Sequence, residues 1–423
     1  MINKQRNTSL WLILEKLVSL TISLCVFVIL AQYLNVNDFG EYAYYLAFVS
    51  FLIPFFSLGL NSLVTKEVLF QPLARSVIVN TLFLRLIMGF LIVFIIVVID
   101  IYFTDLKYEV EFHILLFCIV LTAGQVFDFG FQAFEQNKYA IFIRTSLLVS
   151  GAIAKFLGIY YELILTDFLL IIAMEYAATN IGLFVLFKYI NPRYAQLSFN
   201  PSYCIDVLKR SFWLYLSSIC AVLYLKLDQI MLRQLVNPTE VAHYAVAAKF
   251  TEVFYFIPIA IMTAYFPKII HAARDNSAQY QFHLSRLSTF LFWGSVSLVV
   301  AVLLVSQYLV DWFFTDDYVV SISIISIHVW SLIFVFQRAL LSKWLLVEKL
   351  YRFSLISQGS GAVLNIILNF WWIPLYGGIG AAWATVFSHM VSSTLVLVLF
   401  SETRTMFMLQ LTSIYRPIMS GVV

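Results

Sequence analysis

Residues 77–99 read VIVNTLFLRLIMGFLIVFIIVVI. Arg85 is the only charge in this run, which at about 1.5 Å per helical residue is long enough to cross roughly 30 Å of hydrocarbon. Runs of the same kind recur near 10–32, 40–62, 112–134, 140–162, 168–188, 212–235, 243–266, 287–309, 321–343, 353–374 and 378–400. With 62% hydrophobic and 12% charged residues and a mean hydropathy of +0.91, the chain carries more apolar surface than a soluble core can hide. The expectation is an all-α integral membrane protein of about twelve spans. Lys4 and Arg6 precede a first span too long for a signal-peptide core, so that span is expected to be a membrane helix.

The 26 basic residues sort by alternate loops. Lys66, Arg75, Lys138, Lys188, Arg193, Lys209, Arg210, Arg274, Lys349 and Arg352 fall on one side, and only Lys107 and Arg233 on the other. The second side instead carries Asp38, Asp100, Asp105, Glu109, Glu111, Glu162, Asp167, Asp311, Asp316 and Asp317. Because cytosolic loops attract Lys and Arg, both termini are expected in the cytosol. Cys25, Cys118 and Cys220 lie within spans and Cys204 in a basic loop, a distribution that suits packing rather than bridges or a metal. No cofactor motif and no nucleic-acid partner is expected.

Sliding the chain against itself by 202 residues lays the first span on the seventh. Ser9 and Trp11 meet Ser211 and Trp213, and Gln32, Asn35, Asp38, Tyr42 and Ala43 meet Gln234, Asn237, Glu240, Tyr244 and Ala245. A repeat of six spans enters the membrane twice in the same direction, which gives two six-helix bundles related by an axis along the membrane normal. The expected divisions are a first bundle at 1–190, a cytosolic connector at 191–211, a second bundle at 212–400 and a cytosolic tail at 401–423.

Charges remain inside the spans after the loops are filled. The bases are Lys16, Arg85, Lys155, Lys226, Lys249 and Arg338, and the acids are Glu15, Asp128, Glu175, Asp228 and Glu252. Facing lipid, they would cost on the order of 30 kcal/mol in total, so they must face protein or water. Arg144, Gly151, Lys155 and Glu162 share one helical face, and Gln125, Asp128, Gln132 and Glu135 form an acidic counterpart. Asp228 points nearly opposite to Lys226, whereas Lys249 and Glu252 are spaced to neutralise each other. Arg85, Lys155 and Lys226 lie deep and have no sequence-local acid. With Lys249 and Arg338 they make a candidate cationic lumen for an anionic substrate such as a phosphate. Asp128, Glu175, Asp228 and Glu252 are candidate coupling or gating acids, able to take a proton or an ion. His328 and His389 read as packing residues with hydrogen-bond partners.

The same residues carry a resemblance. The run from Asn37 through Asp38, Phe39, Gly40, Glu41, Tyr42 and Ala43, then Leu58, Gly59 and Leu60, then Thr65, Lys66 and Glu67, resembles the first hairpin of the polysaccharide flippases of the Wzx type. Similar stretches follow in order: Phe131 to Glu135; Tyr224, Asp228 and Gln229; Tyr244, Ala247, Ala248 and Lys249; Pro267; and Asn365, Asn369, Pro374, Tyr376, Gly377, Gly378, Gly380, Ala381, Ala382 and Ala384. The family's usual Gly-Pro turn before the acidic residue of the first hairpin is replaced here by Asn35, Val36 and Asn37.

The resemblance implies the fold of the multidrug/oligosaccharidyl-lipid/polysaccharide exporter superfamily, with its MATE-like pair of bundles. It also implies an activity: turning undecaprenyl-pyrophosphate-linked oligosaccharide from the inner to the outer leaflet of a bacterial inner membrane for O-antigen or other surface polysaccharide. Its implied partners are that lipid-linked substrate, membrane lipid, and the polymerase and chain-length regulator of the same pathway. Two rivals stand beside it. A multidrug exporter on this fold would use an apolar or acidic cavity, and a membrane polymerase or ligase would be expected to carry a large outer loop for its catalytic groups.

Overall fold

Lipid offers the backbone no hydrogen-bond partner, so a spanning chain closes those bonds within its own helices. The computed structural model describes residues 2–60, 64, 68, 74–103, 110–192, 199–275 and 277–415. Thr65, Lys66, Glu67, Asp105, Lys107, Glu109 and Arg193 lie outside the described residues. Among the described residues there are helices and short 3-10 turns but no strand. We number the helices α1 (Ile2–Tyr33), α2 (Val36–Ser57), α3 (Ala74–Phe103), α4 (Val110–Val120), α5 (Val126–Ala133), α6 (Asn137–Tyr160), α7 (Leu165–Ile190), α8 (Pro201–Leu235), α9 (Pro238–Glu252), α10 (Phe256–Asp275), α11 (Ser277–Phe313), α12 (Val319–His328), α13 (Ser331–Val347), α14 (Tyr351–Ser393) and α15 (Arg404–Tyr415).

Ten stretches of the described chain are long and apolar enough to cross a membrane, and an eleventh is the pair Asp316–His328 and Ser331–Val347, bent by 46°. The longest of the ten, Tyr351–Leu399, holds the last two expected spans. Gly377, at φ 55° and ψ −134°, turns the chain between them, in a region of backbone space that favours glycine. Other expected spans are interrupted rather than straight. The fourth is α4, a 3-10 turn at Leu121–Gln125 and α5, with Gly124 against the backbone of Asn180. The eighth is α9, a turn at Val253–Tyr255 and α10, with Pro258 in the first turn of α10, where a missing N–H is tolerated. Apolar side chains face outward, as lipid allows: only 17% of the Val77–Tyr102 window is buried in the protein.

The chain clusters into two compact units. Unit 1 comprises Met1–Leu34 and Phe48–Ile219, and unit 2 comprises Asn35–Ala47 and Cys220–Val423. Within unit 1, α7 packs on α4 and α6, and α6 on α1. Phe127, Phe131, Leu183 and Phe187 fill its core with Val77 and Ile78. Within unit 2, α13 packs on α14 and α11, and α9 on α12. The connector expected at 191–211 is helical from Pro201. Asn80 accepts the Asn200 N–H at 2.6 Å, and Cys204 and Val207 are buried, so this stretch is packed helix rather than loop. The expected tail likewise forms α15, packed on α11.

The two stretches that the 202-residue shift aligns open their helices alike. Asn35 accepts the Asp38 N–H and Asn237 the Glu240 N–H, each at 2.9 Å, the N-cap role of an asparagine. In unit 2 the two turns touch. A Cβ on Gly40 would lie 1.8 Å from the Pro238 carbonyl oxygen, so only glycine fits there.

Candidate functional site

The intramembrane charges are arranged within each unit. In unit 1 the acidic face of the fourth span meets the basic face of the fifth. The Arg144 guanidinium binds both Glu15 oxygens at 2.7 and 2.9 Å and Asp128 at 2.5 Å. Glu15 is therefore held across helices by Arg144. Lys155 lies about three turns farther along the same face of α6 and binds Glu175 of α7 at 2.6 Å. Gly151 makes room, since a Cβ there would sit 2.6 Å from the same carboxylate oxygen.

Arg85 is 1% exposed, donates to the Ser57 carbonyl at 3.3 Å and lies over the Phe129 ring. Ser57 ends α2, and Leu58 and Gly59 follow with positive φ, so at this helix C-terminus the guanidinium joins the Leu60 N–H on the Ser57 carbonyl.

In unit 2 Lys226 binds both oxygens of Glu252 at 2.9 and 3.0 Å. The charge of Glu252 also acts on Lys249, the local partner expected of it, while its carboxylate reaches across from α9 to α8. Asp228, pointing away from Lys226, is 1% exposed. One of its oxygens accepts from Tyr244 and Thr385, each at 2.5 Å, and the other from Asn369 at 2.6 Å. All three donors are neutral. Asn369 also donates to Asn365 at 3.0 Å. The turn at Gly377 is what folds the Asn369 half of α14 and the Thr385 half onto the same carboxylate.

Arg338 is buried and donates to the Ser357 hydroxyl and the Ser392 carbonyl. His328 has the expected partner, Thr251 at 2.6 Å. His389 does not: both ring nitrogens are buried without a hydrogen-bond partner, and the ring packs edge-on against Tyr224. The hydrogen-bonded role expected of His389 is corrected accordingly.

Sequence reasoning missed the cradle around Asp228. Asn365 and Asn369, four apart in an apolar helix, were the available signal, but nothing local linked them to Thr385 or Tyr244. It also missed the Glu41–Arg233 pair at 2.7 Å and the bond from the Gly378 N–H to Glu240 at 2.7 Å. Among the described residues no group of three or more His, Cys, Asp and Glu is placed to hold a metal ion.

The comparisons agree with this architecture. The structure of "Lipid II flippase MurJ, inward closed conformation" superposes with a TM-score of 0.70 at 16% identity, covering 96% of this chain and 90% of that one. An inward-facing multidrug resistance MATE family transporter of the MOP superfamily gives 0.72 at 16%, covering 93% and 96%. A MOP superfamily transporter from Pyrococcus furiosus gives 0.64 at 14%, covering 96% and 95%. These likenesses show the fold: the chain has the multi-pass helical fold of those flippase and transporter structures. No curated protein sequence matches the chain. The MatE family model matches residues 214–371. The family model described as polysaccharide biosynthesis protein matches residues 6–273, more than half of the chain. With its broken spans, its paired intramembrane charges and this match, the chain belongs to the polysaccharide biosynthesis protein family.

Proposed function

We propose that the protein is a flippase that turns undecaprenyl-pyrophosphate-linked oligosaccharide from the inner to the outer leaflet of a bacterial inner membrane, for O-antigen or another surface polysaccharide. The observation that carries this reading is the Lys226–Glu252 pair, whose side chains are 23% and 26% exposed at membrane depth. A half-open ion pair is costly against lipid, so the surface it faces must be polar. Lys155 and Glu175, at 11% and 20%, form the counterpart in unit 1. A pyrophosphate head that sheds water needs cations in its place, and it can compete with Glu252 for Lys226. The lipid tail stays in the bilayer meanwhile. Arg85, Lys249 and Arg338 add positive potential, while Asp128 and Glu15 stay bound to Arg144.

Release needs a second state in which Lys226 prefers Glu252 again. Asp228 is the coupling acid in this proposal. With only neutral donors around it, gaining a proton changes the charge of the cradle by a full unit and leaves no cation stranded. Multidrug export, which the same fold also supports, is the second reading, but lysines at the exposed depth repel organic cations. The pathway's polymerase and chain-length regulator are the expected protein partners.

The experiment uses purified protein in proteoliposomes carrying labelled undecaprenyl-pyrophosphate-linked oligosaccharide, with lectin access to the far leaflet as readout. Acceleration over protein-free vesicles supports the proposal; transport of an organic cation without lipid-linked sugar sinks it. Topology has its own check. Cysteine probes at Asp105 and Asp316 should react from outside spheroplasts and probes at Arg193 and Arg274 should not; the reverse pattern would invert the direction of transport.

A further inference from the structure

Beyond the Asp228 cradle, a buried polar seam runs along α14 between its two halves. A Cβ on Gly361 would come within 2.7 Å of the Ser392 Cβ, so the halves are in close contact there. At one end Thr385 and Asn369 hold Asp228. At the other, Arg338 binds Ser357 and the Ser392 carbonyl. Between them sits His389, one helical turn from Thr385 and one from Ser392 or Ser393, which is about 6 Å and about 4.5 Å along the axis.

Three side chains of this seam carry buried polar atoms without a protein partner: Asn369 Oδ1, Asn365 Nδ2, and both ring nitrogens of His389. Buried polar atoms are satisfied by protein or by ordered water, and orphans spaced along one seam are what a water chain requires. The steps of about 4.5–6 Å are each within the reach of one or two bridging waters.

We propose that Asp228 exchanges its proton with the Ser392 end of the molecule through this seam, with His389 as the relay. The inference rests on the reading of Asp228 as the coupling acid. An imidazole passes a proton by accepting it at one nitrogen while releasing another from the opposite one. His389 has both nitrogens available for water, whereas His328 has Nδ1 committed to Thr251. In the uptake direction a proton reaching the buried Ser392 end protonates His389, the second ring N–H passes its proton to water, and that water protonates the Asp228 carboxylate. One proton is taken up, and His389 returns to neutral.

The groups facing His389 suit this role. Tyr224 and Tyr255 wall the ring at centroid distances of 5.0 and 6.4 Å. His328 and Arg338 act on it electrostatically from α12 and α13, with the Lys226–Glu252 pair beyond His328.

The test reads the infrared band of the protonated Asp228 carboxyl, identified as the band missing in Asp228→Asn, after a pH jump on the Ser392 side of oriented proteoliposomes. His389→Gln keeps the polarity of the side chain but does not titrate. It should reach the wild-type band amplitude about a hundredfold more slowly, in line with the loss of a positioned proton carrier. His389→Ala should be slow as well and recover rate with added imidazole, a rescue that a packing role would not show. Wild-type kinetics in His389→Gln would overturn the relay while leaving Asp228 as coupling acid. If wild type and Asp228→Asn give the same spectra at every pH, the coupling reading falls and the relay with it.

Discussion

In unit 1 Arg144 is clamped between Glu15 and Asp128 and Lys155 sits on Glu175; in unit 2 Asp228 is held by a tyrosine, a threonine and an asparagine. The first arrangement neutralises charge with charge, and changing the protonation of any member strands its partner at low dielectric. The second surrounds a carboxylate with hydroxyl and amide dipoles that serve the charged and the protonated form alike. The two units thus hold their buried acids in different surroundings. In the proposed function, unit 2 holds the group that changes state. Each half also carries one partly open Lys–Glu pair.

The largest effect expected on stability is at Arg144. Arg144→Gln leaves two carboxylates face to face and should cost about 3–5 kcal/mol, the range for breaking a buried ion pair, read as a drop in the melting temperature of the detergent-solubilised protein. Asp228→Asn should melt much closer to wild type, because the amide can still engage Tyr244, Thr385 and Asn369. Equal losses in the two variants would erase the contrast between the units.

Next come the open pairs. Lys226→Gln or Lys155→Gln should cost about 1–3 kcal/mol, the desolvation penalty of an unsatisfied acid, reduced by its partial exposure. Lys226→Gln combined with Glu252→Gln should regain that stability and still fail to translocate lipid-linked sugar. Recovery of transport in the double variant would make the pair a structural one. Gly377→Ala strains the turn that joins the Asn369 and Thr385 halves of α14, with its Cβ placed 2.4 Å from Glu240. It should cost about 1–3 kcal/mol, whereas Gly294→Ala, with nothing within 4 Å of the added carbon, should be neutral. The smallest effect is at the caps: Asn35→Ala and Asn237→Ala should each cost about 1 kcal/mol, by similar amounts if the repeat has kept both turns.

The spans were legible because a run such as 77–99 satisfies lipid on every face, and no partner elsewhere in the chain is needed to read it. The turn at Gly377 was visible as the gap between two apolar runs. The breaks in the fourth and eighth spans were not, since hydropathy is blind to a 3-10 turn inside an apolar stretch. Charge positions were legible but partners were not. Lys226 meets Glu252 because two helices lie side by side, and no sequence period carries that. Helical phase did separate Lys226 from Asp228, since residues two apart cannot share a face. The cradle needed Thr385, an unremarked hydroxyl far along the chain from Asp228, and His389 looked like an ordinary packed histidine until its nitrogens proved to have no partner.

If the neutral cradle of unit 2, and not the ion pairs of unit 1, holds the group whose charge changes during transport, Asp228 alone should set the pH dependence of the rate. The most direct measurement is the rate of translocation of undecaprenyl-pyrophosphate-linked oligosaccharide in proteoliposomes across a pH series, comparing wild type, Asp228→Asn and Asp128→Asn at matched protein amounts. The account predicts a pH-dependent rate in wild type, the same dependence at a lower rate in Asp128→Asn, and a rate near that of empty vesicles, flat with pH, in Asp228→Asn. Wild-type rate and pH dependence in Asp228→Asn, with the dependence lost in Asp128→Asn, would contradict it.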